Sequence, residues 1–314
     1  MYKRHMFKDK AFIIIVAFSL LVIIVGLQGT AIHMVFAATS DLNNITGSSN
    51  TQGNNNLLTK TLAKNLENRI QKAGAILEIT SKSPQVRNVS YAHLLNQTLN
   101  TLHGIPQQAD IEKRQVAKNM LSSNSDFQIV IFIMPNGDIY LDEPYSRQQM
   151  STTTNLAFRD YFKGVIKTND IYLGDPTPSA SSGQMQSVIA VPVYSLKDNS
   201  TIVGLWAGGI DFAILNKELQ SFNITSSLDG SNGTDNTRVV YVGHNGQKIA
   251  DSDINKSKTP ESFATLNSFK NAISGQSSSI IDAIDNNTKI LVTYQPVRAF
   301  HNTWVVLLMQ PIPP

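Results

Sequence analysis

Two distant segments share one hairpin pattern, and this repeat restricts the folds open to the chain more than any other feature. Each segment has an apolar, β-branched run, an Asn-Gly turn and a second short run, a pattern that predicts a β-hairpin. The turn glycines, Gly137 and Gly246, lie 109 residues apart. The runs are 129–134 and 138–141 in the first segment, and 239–242 and 247–250 in the second.

Further landmarks follow both hairpins in the same order. Phe162-Lys163 corresponds to Phe269-Lys270, and Pro192-Val193 corresponds to Pro296-Val297. The last pair consists of the two tryptophans of the chain, Trp206 and Trp304. The spacing shrinks from 109 to 98 residues, which indicates one supersecondary unit used twice, with shorter loops in the second copy. Chance similarity of amphipathic elements is the alternative. Each unit reads as a hairpin, a helix and further strands, so we expect an α+β fold with antiparallel sheets.

Helical patterns precede the first hairpin. Apolar residues recur at steps of three and four and predict one long helix that ends near Pro84. Its stripe consists of Leu58, Leu62, Leu66, Ile70, Ala73 and Leu77. Shorter helical patterns cover 91–102 and 111–121.

The N-terminus predicts export. An uncharged apolar run at 11–27 follows four basic residues, and apolar character continues to Ala38. This pattern favours an uncleaved signal-anchor with its N-terminus inside the cell, whereas the small residues at Ala37-Ala38 also permit a cleaved signal peptide. We therefore expect a single-pass protein of the cell membrane with its modules outside, or a secreted protein if the signal is cleaved.

These patterns divide the chain into six predicted segments. They are a cytoplasmic basic segment (1–10), a transmembrane anchor (11–36), a flexible polar linker (37–56), a long stalk helix with a helical segment (57–122), a membrane-distal module (123–225) and a membrane-proximal module (226–314).

Composition argues against several classes of function. Four of the 26 basic and one of the 23 acidic residues lie in the first ten positions, which leaves 22 of each in the rest of the chain. The exported part therefore has no net charge, and we do not expect nucleic acid as a partner. There is no cysteine and the six histidines are dispersed, so we expect neither thiolate chemistry nor a metal site. No common hydrolase or nucleotide-binding motif occurs, and we expect no enzyme activity and no cofactor.

The first unit also carries a resemblance to a known family. Arg159-Asp160-Tyr161-Phe162 is similar to the R-x-[WY]-[FY] element of double Cache sensor domains, and the strand pattern ending in Gly209-Ile210-Asp211 is similar to their G-x-I-D. The resemblance covers roughly 57–310 and implies a long N-terminal helix followed by two PAS-like antiparallel-sheet modules. It also implies that the first, membrane-distal module holds a ligand while the second relays a signal.

The resemblance assigns roles to three residues. In the amino-acid-binding branch, the arginine and the aromatic residue hold a carboxylate and the strand aspartate holds an ammonium, roles that fall on Arg159, Tyr161 and Asp211. This chain has Tyr161-Phe162 where that branch prefers Trp-Tyr. From the residues alone, Arg159 offers a planar fork of donors suited to a carboxylate, but it also fits a surface pair with Asp160. Asp211 equally fits a helix cap.

Further side chains are expected at the same site. We expect Tyr140, Tyr172 and Tyr194 to line the pocket, although each of them, taken alone, fits a core or sheet-face position better. We place Asp175 in the site as well, because it opens the loop 175–183, which is long enough to cover a pocket mouth or to be a plain surface loop.

The sequence thus favours an extracellular sensor module for an amino acid, small carboxylate or amine, without an output domain of its own. We expect it to act through a separate transmembrane signalling protein or as a homodimer formed through the long helix. A cell-surface structural or adhesive protein and a free-standing solute-binding protein remain as alternatives.

Overall fold

The computed structural model describes residues 51–227, 237–284 and 288–312. The predicted cytoplasmic segment and membrane anchor lie outside these ranges. Among the helices that are described, none combines the length and the apolar character needed to cross a membrane.

The long helix α1 spans Thr51–Ser81 and begins earlier than expected. The polar character of residues 51–56 predicts a flexible linker, yet these residues form the first turns of α1. Asn55 is buried and donates a hydrogen bond to Gln310 Oε1 at 2.6 Å, while its carbonyl accepts from Thr59 Oγ1 at 2.7 Å. A contact with the last strand therefore overrides the weak helix propensity of this polar segment.

The apolar stripe of α1 packs against the sheets. Leu62, Leu66, Ile70 and Leu77 are at most 2% exposed and belong to the largest hydrophobic cluster. Because the chain's own sheets cover this stripe, it is not a free face for pairing two copies of the helix. The helix ends at Ser81, near Pro84 as expected, and Pro84 starts the next helix with Ser83 as its cap.

The remaining described helices are shorter than α1. They are α2 (Pro84–Arg87), α3 (Leu95–Leu102), α4 (Ile111–Ser123), α5 (Tyr145–Gln149), α6 (Asp160–Thr168), α7 (Phe212–Ser227) and α8 (Asn267–Ile273), with a 3-10 turn at Ala92–Leu94. Helices α3 and α4 confirm the two shorter helical patterns.

Among the described residues, the strands form two five-stranded antiparallel sheets and one small hairpin. The first module contains β1 (Phe127–Ile133), β2 (Ile139–Glu143), β3 (Tyr172–Leu173), the hairpin β4 (Thr177–Pro178) and β5 (Met185–Gln186), then β6 (Val188–Tyr194) and β7 (Ile202–Ile210). The second contains β8 (Arg238–Val242), β9 (Lys248–Asp251), β10 (Ser278–Ile284), β11 (Thr288–Ala299) and β12 (Asn302–Pro311).

The strand orders confirm the internal repeat. The first sheet is ordered β2-β1-β7-β6-β3, and the second, read in the same direction, β9-β8-β12-β11-β10. The hairpins β1–β2 and β8–β9 are equivalent, Trp206 and Trp304 lie on the equivalent strands β7 and β12, and Pro192 and Pro296 lie on β6 and β11. The expected α+β fold of a long helix and two antiparallel-sheet modules is thus confirmed.

Each sheet has a helix side and an outer side. The helix sides of both sheets share one core with α1, which includes Phe132, Trp206, Tyr241 and Trp304. The outer side of the first sheet packs under α6 in a cluster with Ile131 and Leu205. The candidate site lies on this outer side.

Candidate ligand site

A small cavity lies between the outer side of the first sheet, the start of α6 and the loop that carries β4. It measures about 20 Å³, close to the space needed by one water molecule. The strands contribute Ile129, Ile131, Ile139, Asp142, Gln186 and Val188, and the segments above them contribute Ser151, Leu156, Arg159, Tyr161, Thr177, Ser179, Ala180 and Ser181. Four residues of the predicted covering loop therefore cover the cavity.

Arg159 reaches the cavity from the N-cap position of α6, where its backbone is extended. Its Nη2 donates a hydrogen bond to the carbonyl of Pro178 at 3.0 Å, and its guanidinium stacks 4.9 Å from the Phe158 ring centre. The side chain is half-buried, so its other donors can meet a ligand or solvent. Arg159 thus joins α6 to the covering loop.

Tyr161 lines the same cavity two residues later and is 3% exposed. Burial raises the pKa of its phenol above the usual value, and the charge of Arg159 partly offsets the rise. The phenol is therefore neutral over the physiological range and offers a ring face and a hydroxyl.

The cavity also contains a carboxylate that sequence reasoning missed. Asp142, near the end of β2, is 2% exposed, and no described residue donates a hydrogen bond to its Oδ1. Burial raises the pKa of this carboxyl to about 7, although the charges of Arg114 and Arg147 oppose the rise. A buried carboxylate without a partner costs free energy, so the group is a functional candidate.

Asp211 lies directly after β7 and caps the following helix. Its Oδ1 accepts the backbone N–H of Ala213 at 2.9 Å, the capping arrangement expected for an aspartate before a helix. Asp211 is also close enough to Arg147 to act on its charge. Burial lowers the pKa of Arg147, and the negative charges of Asp142 and Asp211 both oppose this change. It does not line the cavity itself.

Tyr140 lies on the helix side of the sheet, away from the cavity. Its hydroxyl donates to Asp110 Oδ2 at 2.7 Å, and its ring lies 4.2 Å from the ammonium of Lys113. Tyr140 directly follows Ile139, which lines the cavity, so the alternation of a strand already places it on the other side. The pairing of β1 with β2 shifts between Phe132 and Ile133, which leaves Tyr140 as the extra residue of a β-bulge.

Tyr172 and Tyr194 also lie outside the cavity. Tyr172 packs on Gly164 and stacks on His301 of the second module, with ring centres 5.8 Å apart. Tyr194 lines a separate, open cleft of about 260 Å³ next to Arg87. The Arg87 guanidinium already donates to the carbonyl groups of Tyr194 and Ser195, whereas Lys82, which also lines this cleft, is exposed.

Asp175 contacts the second module instead of the cavity. Its backbone N–H donates to Asp160 Oδ2 at 2.6 Å, which ties the loop to the start of α6. Burial raises the pKa of its own carboxyl, whereas His244, in the turn of the second hairpin, opposes the rise. The next residue, Pro176, packs so closely on Gly243 that a Cβ there would lie 2.5 Å from the proline ring.

Known protein structures have the same fold. The ligand-binding domain of the Pseudomonas fluorescens chemoreceptor CtaA in complex with L-isoleucine aligns with a TM-score of 0.53 at 15% identity, covering 88% of this chain and 94% of that one. The extracellular domain of the putative histidine kinase rpHK1S-Z16 aligns with a TM-score of 0.57 at 13% identity, covering 82% and 92%.

A third similar structure is the ligand-binding domain of the Pseudomonas aeruginosa chemoreceptor PctC in complex with GABA. It aligns with a TM-score of 0.51 at 15% identity, covering 83% of this chain and all of that one. No curated protein sequence matches the chain. The sequence model of the Cache domain matches residues 43–312, and the chain therefore belongs to the Cache domain family.

Proposed function

We propose that the chain is an extracellular sensor module and that its first Cache module binds a small zwitterion, carboxylate or amine in the cavity under α6. The observation that carries this proposal is the meeting of Arg159 and Tyr161 over an apolar strand floor. A guanidinium beside a buried aromatic side chain suits a small carboxylate that also has apolar surface.

The size of the cavity implies that the covering loop moves when a ligand enters. About 20 Å³ holds a water molecule but not an amino acid. The carbonyl of Pro178 occupies one donor of Arg159, and a ligand carboxylate would compete for that donor. We therefore expect binding to release Pro178 from Arg159 and to displace the loop that carries β4.

The same loop connects the cavity to the second module. Asp160, next to Arg159, holds the backbone of Asp175, and the following Pro176 packs on the turn at Gly243. Displacement of the loop would thus alter a contact between the modules. We propose that this contact is the first step of a signal, which the chain passes to a separate transmembrane protein.

The comparisons supply a choice of ligands to test. The similar chemoreceptor domains were solved with L-isoleucine, L-serine, GABA and L-Gln. The cavity favours a ligand-binding role over an adhesive one, because adhesion does not require a buried site. We propose no catalytic activity, since the cavity combines an arginine and a carboxylate without a nucleophile placed beside a base.

A thermal-shift screen of the full-length chain against amino acids, GABA, small carboxylates and small amines tests the proposal. We expect at least one to raise the unfolding temperature, and Arg159→Ala to weaken a carboxylate ligand on the order of 10- to 100-fold, the value of a charge-assisted pair. Arg298→Ala, which removes an exposed arginine of the second module, is the matched control. The proposal fails if nothing binds or if Arg159→Ala binds as tightly as the wild type.

A further inference from the structure

The two hairpins of the duplicated modules correspond residue by residue at a constant spacing of 109. Ile131 pairs with Asp142 in the first, and Val240 pairs with Asp251 in the second. The β-bulge also recurs at the same point, after Phe132 in the first hairpin and after Tyr241 in the second. Asp142 and Asp251 therefore occupy equivalent positions on the outer sides of their sheets.

In the second module this aspartate is fully paired. Arg238 donates to both oxygens of Asp251, at 3.1 and 2.6 Å, and the Lys248 ammonium lies 3.1 Å from Oδ2. Glu261 completes the network by contacting both cations. Although burial opposes it, pairing with Arg238 holds the pKa of Asp251 below its usual value. The side chains of Arg238, Lys248 and Asp251 are at most 12% exposed.

In the first module the two cations are missing. The positions equivalent to Arg238 and Lys248 are Ile129 and Ile139, both buried and both lining the cavity. Asp142 keeps its carboxylate in the same place, with an Oδ1 that no described residue satisfies. The second module thus pairs its aspartate with cations from its own strands. The first module keeps the aspartate and has no cation at the equivalent strand positions.

We propose that the ligand supplies the missing cation: it carries an ammonium or guanidinium group that binds Asp142 in the place that Arg238 and Lys248 occupy in the second module. This inference rests on the proposed function, and it narrows the ligand to molecules with a cationic nitrogen. Arg159, which also lines the cavity, takes the carboxylate of the same ligand. An amino acid meets both requirements.

The charged groups around Asp142 leave room for this role. Arg114, on α4, forms its ion pair with Glu143 at 2.8 Å on the helix side. Arg147, on α5, donates through Nη2 to Ser179 Oγ at 3.4 Å, and its Nε is buried without a partner among the described residues; it forms no ion pair with Asp142 within 4 Å. Asp211, the residue to which the family resemblance gives the ammonium, uses one oxygen to cap α7. Asp142 is the buried carboxylate that lines the cavity.

The test compares matched ligands and variants of the full-length chain by calorimetry. Each zwitterion that binds is compared with its deaminated and decarboxylated analogues: L-isoleucine with 3-methylpentanoate and 2-methylbutylamine, and GABA with butyrate and propylamine. We expect the zwitterion to bind at least tenfold more tightly than the acid, and Asp142→Asn to remove most of this difference. Asp253→Asn, which removes a carboxylate from the second module, is the matched control.

A second variant tests the same position by adding a cation instead of removing the carboxylate. Ile139→Lys provides a tethered ammonium at the place of Lys248, so it should fill the cation position and lower zwitterion affinity at least tenfold while the chain remains folded. The inference is overturned if Asp142→Asn binds the zwitterion normally, if Asp211→Asn alone removes the preference for the amine, or if the deaminated acids bind as well as the zwitterions. Loss of all binding in the wild type would instead overturn the proposed function.

Discussion

The unpaired carboxylate of Asp142 makes a direct prediction about stability. Burial raises its pKa from 3.8 to about 7, so the folded chain holds this proton over a pH range in which the unfolded chain has released it. Stability therefore decreases as the pH rises through this range. A pKa shift of about three units corresponds to a loss of about 4 kcal/mol of folding stability. This loss is complete above pH 7 and absent near pH 4. Asp142→Asn removes the titration and keeps the shape.

We therefore expect Asp142→Asn to be more stable than the wild type by up to about 4 kcal/mol at pH 8, and similar to it near pH 4. Urea unfolding followed by tryptophan fluorescence measures this, because Trp206 and Trp304 are buried, one in each module. Asp253→Asn, measured in parallel, corrects for the general change in charge. A variant less stable than the wild type at pH 8, or a difference independent of pH, would show that Asp142 has a partner in the folded chain and would refute the reasoning.

Three further predictions concern other positions. Asp251→Asn should destabilise the chain in the same urea assay, by less than the about 3 to 5 kcal/mol of a buried charge left without any partner, because Glu261 still contacts Arg238 and Lys248; an unchanged midpoint would contradict the network. Tyr140→Phe should lose about 1.5 to 3 kcal/mol, the value of a hydrogen bond to a charged group, yet leave ligand affinity in calorimetry unchanged; weaker binding would return Tyr140 to the site. Gly164→Ala should lower the free energy of unfolding by about 1 to 3 kcal/mol, because its Cβ would overlap the Tyr172 ring; an unchanged value would contradict this packing.

The fold was largely predictable because its signals are local. The Asn-Gly turns at Gly137 and Gly246 and the alternating runs beside them specify the two hairpins, and the strand orders confirm the repeat that these turns first indicated. The start of α1 was not predictable in the same way. Asn55 is helical because of its contact with Gln310 at the other end of the chain, and no local pattern contains that contact.

The site was predictable only in part, and a β-bulge explains much of the difference. Strict alternation from Ile139 would place Asp142 on the opposite side of the sheet. Because the bulge inserts Tyr140, the alternation shifts by one residue, and Asp142 returns to the side that faces the cavity. Arg159 and Tyr161, in contrast, lie two residues apart at the start of α6, so their proximity follows from the sequence without long-range information. These two, with Asp142, remain our proposed ligand contacts.

The difference between the copies also explains how the chain tolerates an unpaired buried carboxylate. A cost of about 4 kcal/mol is a large part of the 5 to 15 kcal/mol that stabilises a typical domain, so an isolated first module would lose much of its stability. The first module is not isolated, since one hydrophobic core runs along α1 and includes Trp206 and Trp304 from the two sheets. The second module, with Asp251 paired by Arg238 and Lys248, supports this shared core without a ligand. The stability of the second module thus allows the first module to keep Asp142 without a cation beside it. A ligand whose cationic group binds Asp142 would stabilise the folded chain.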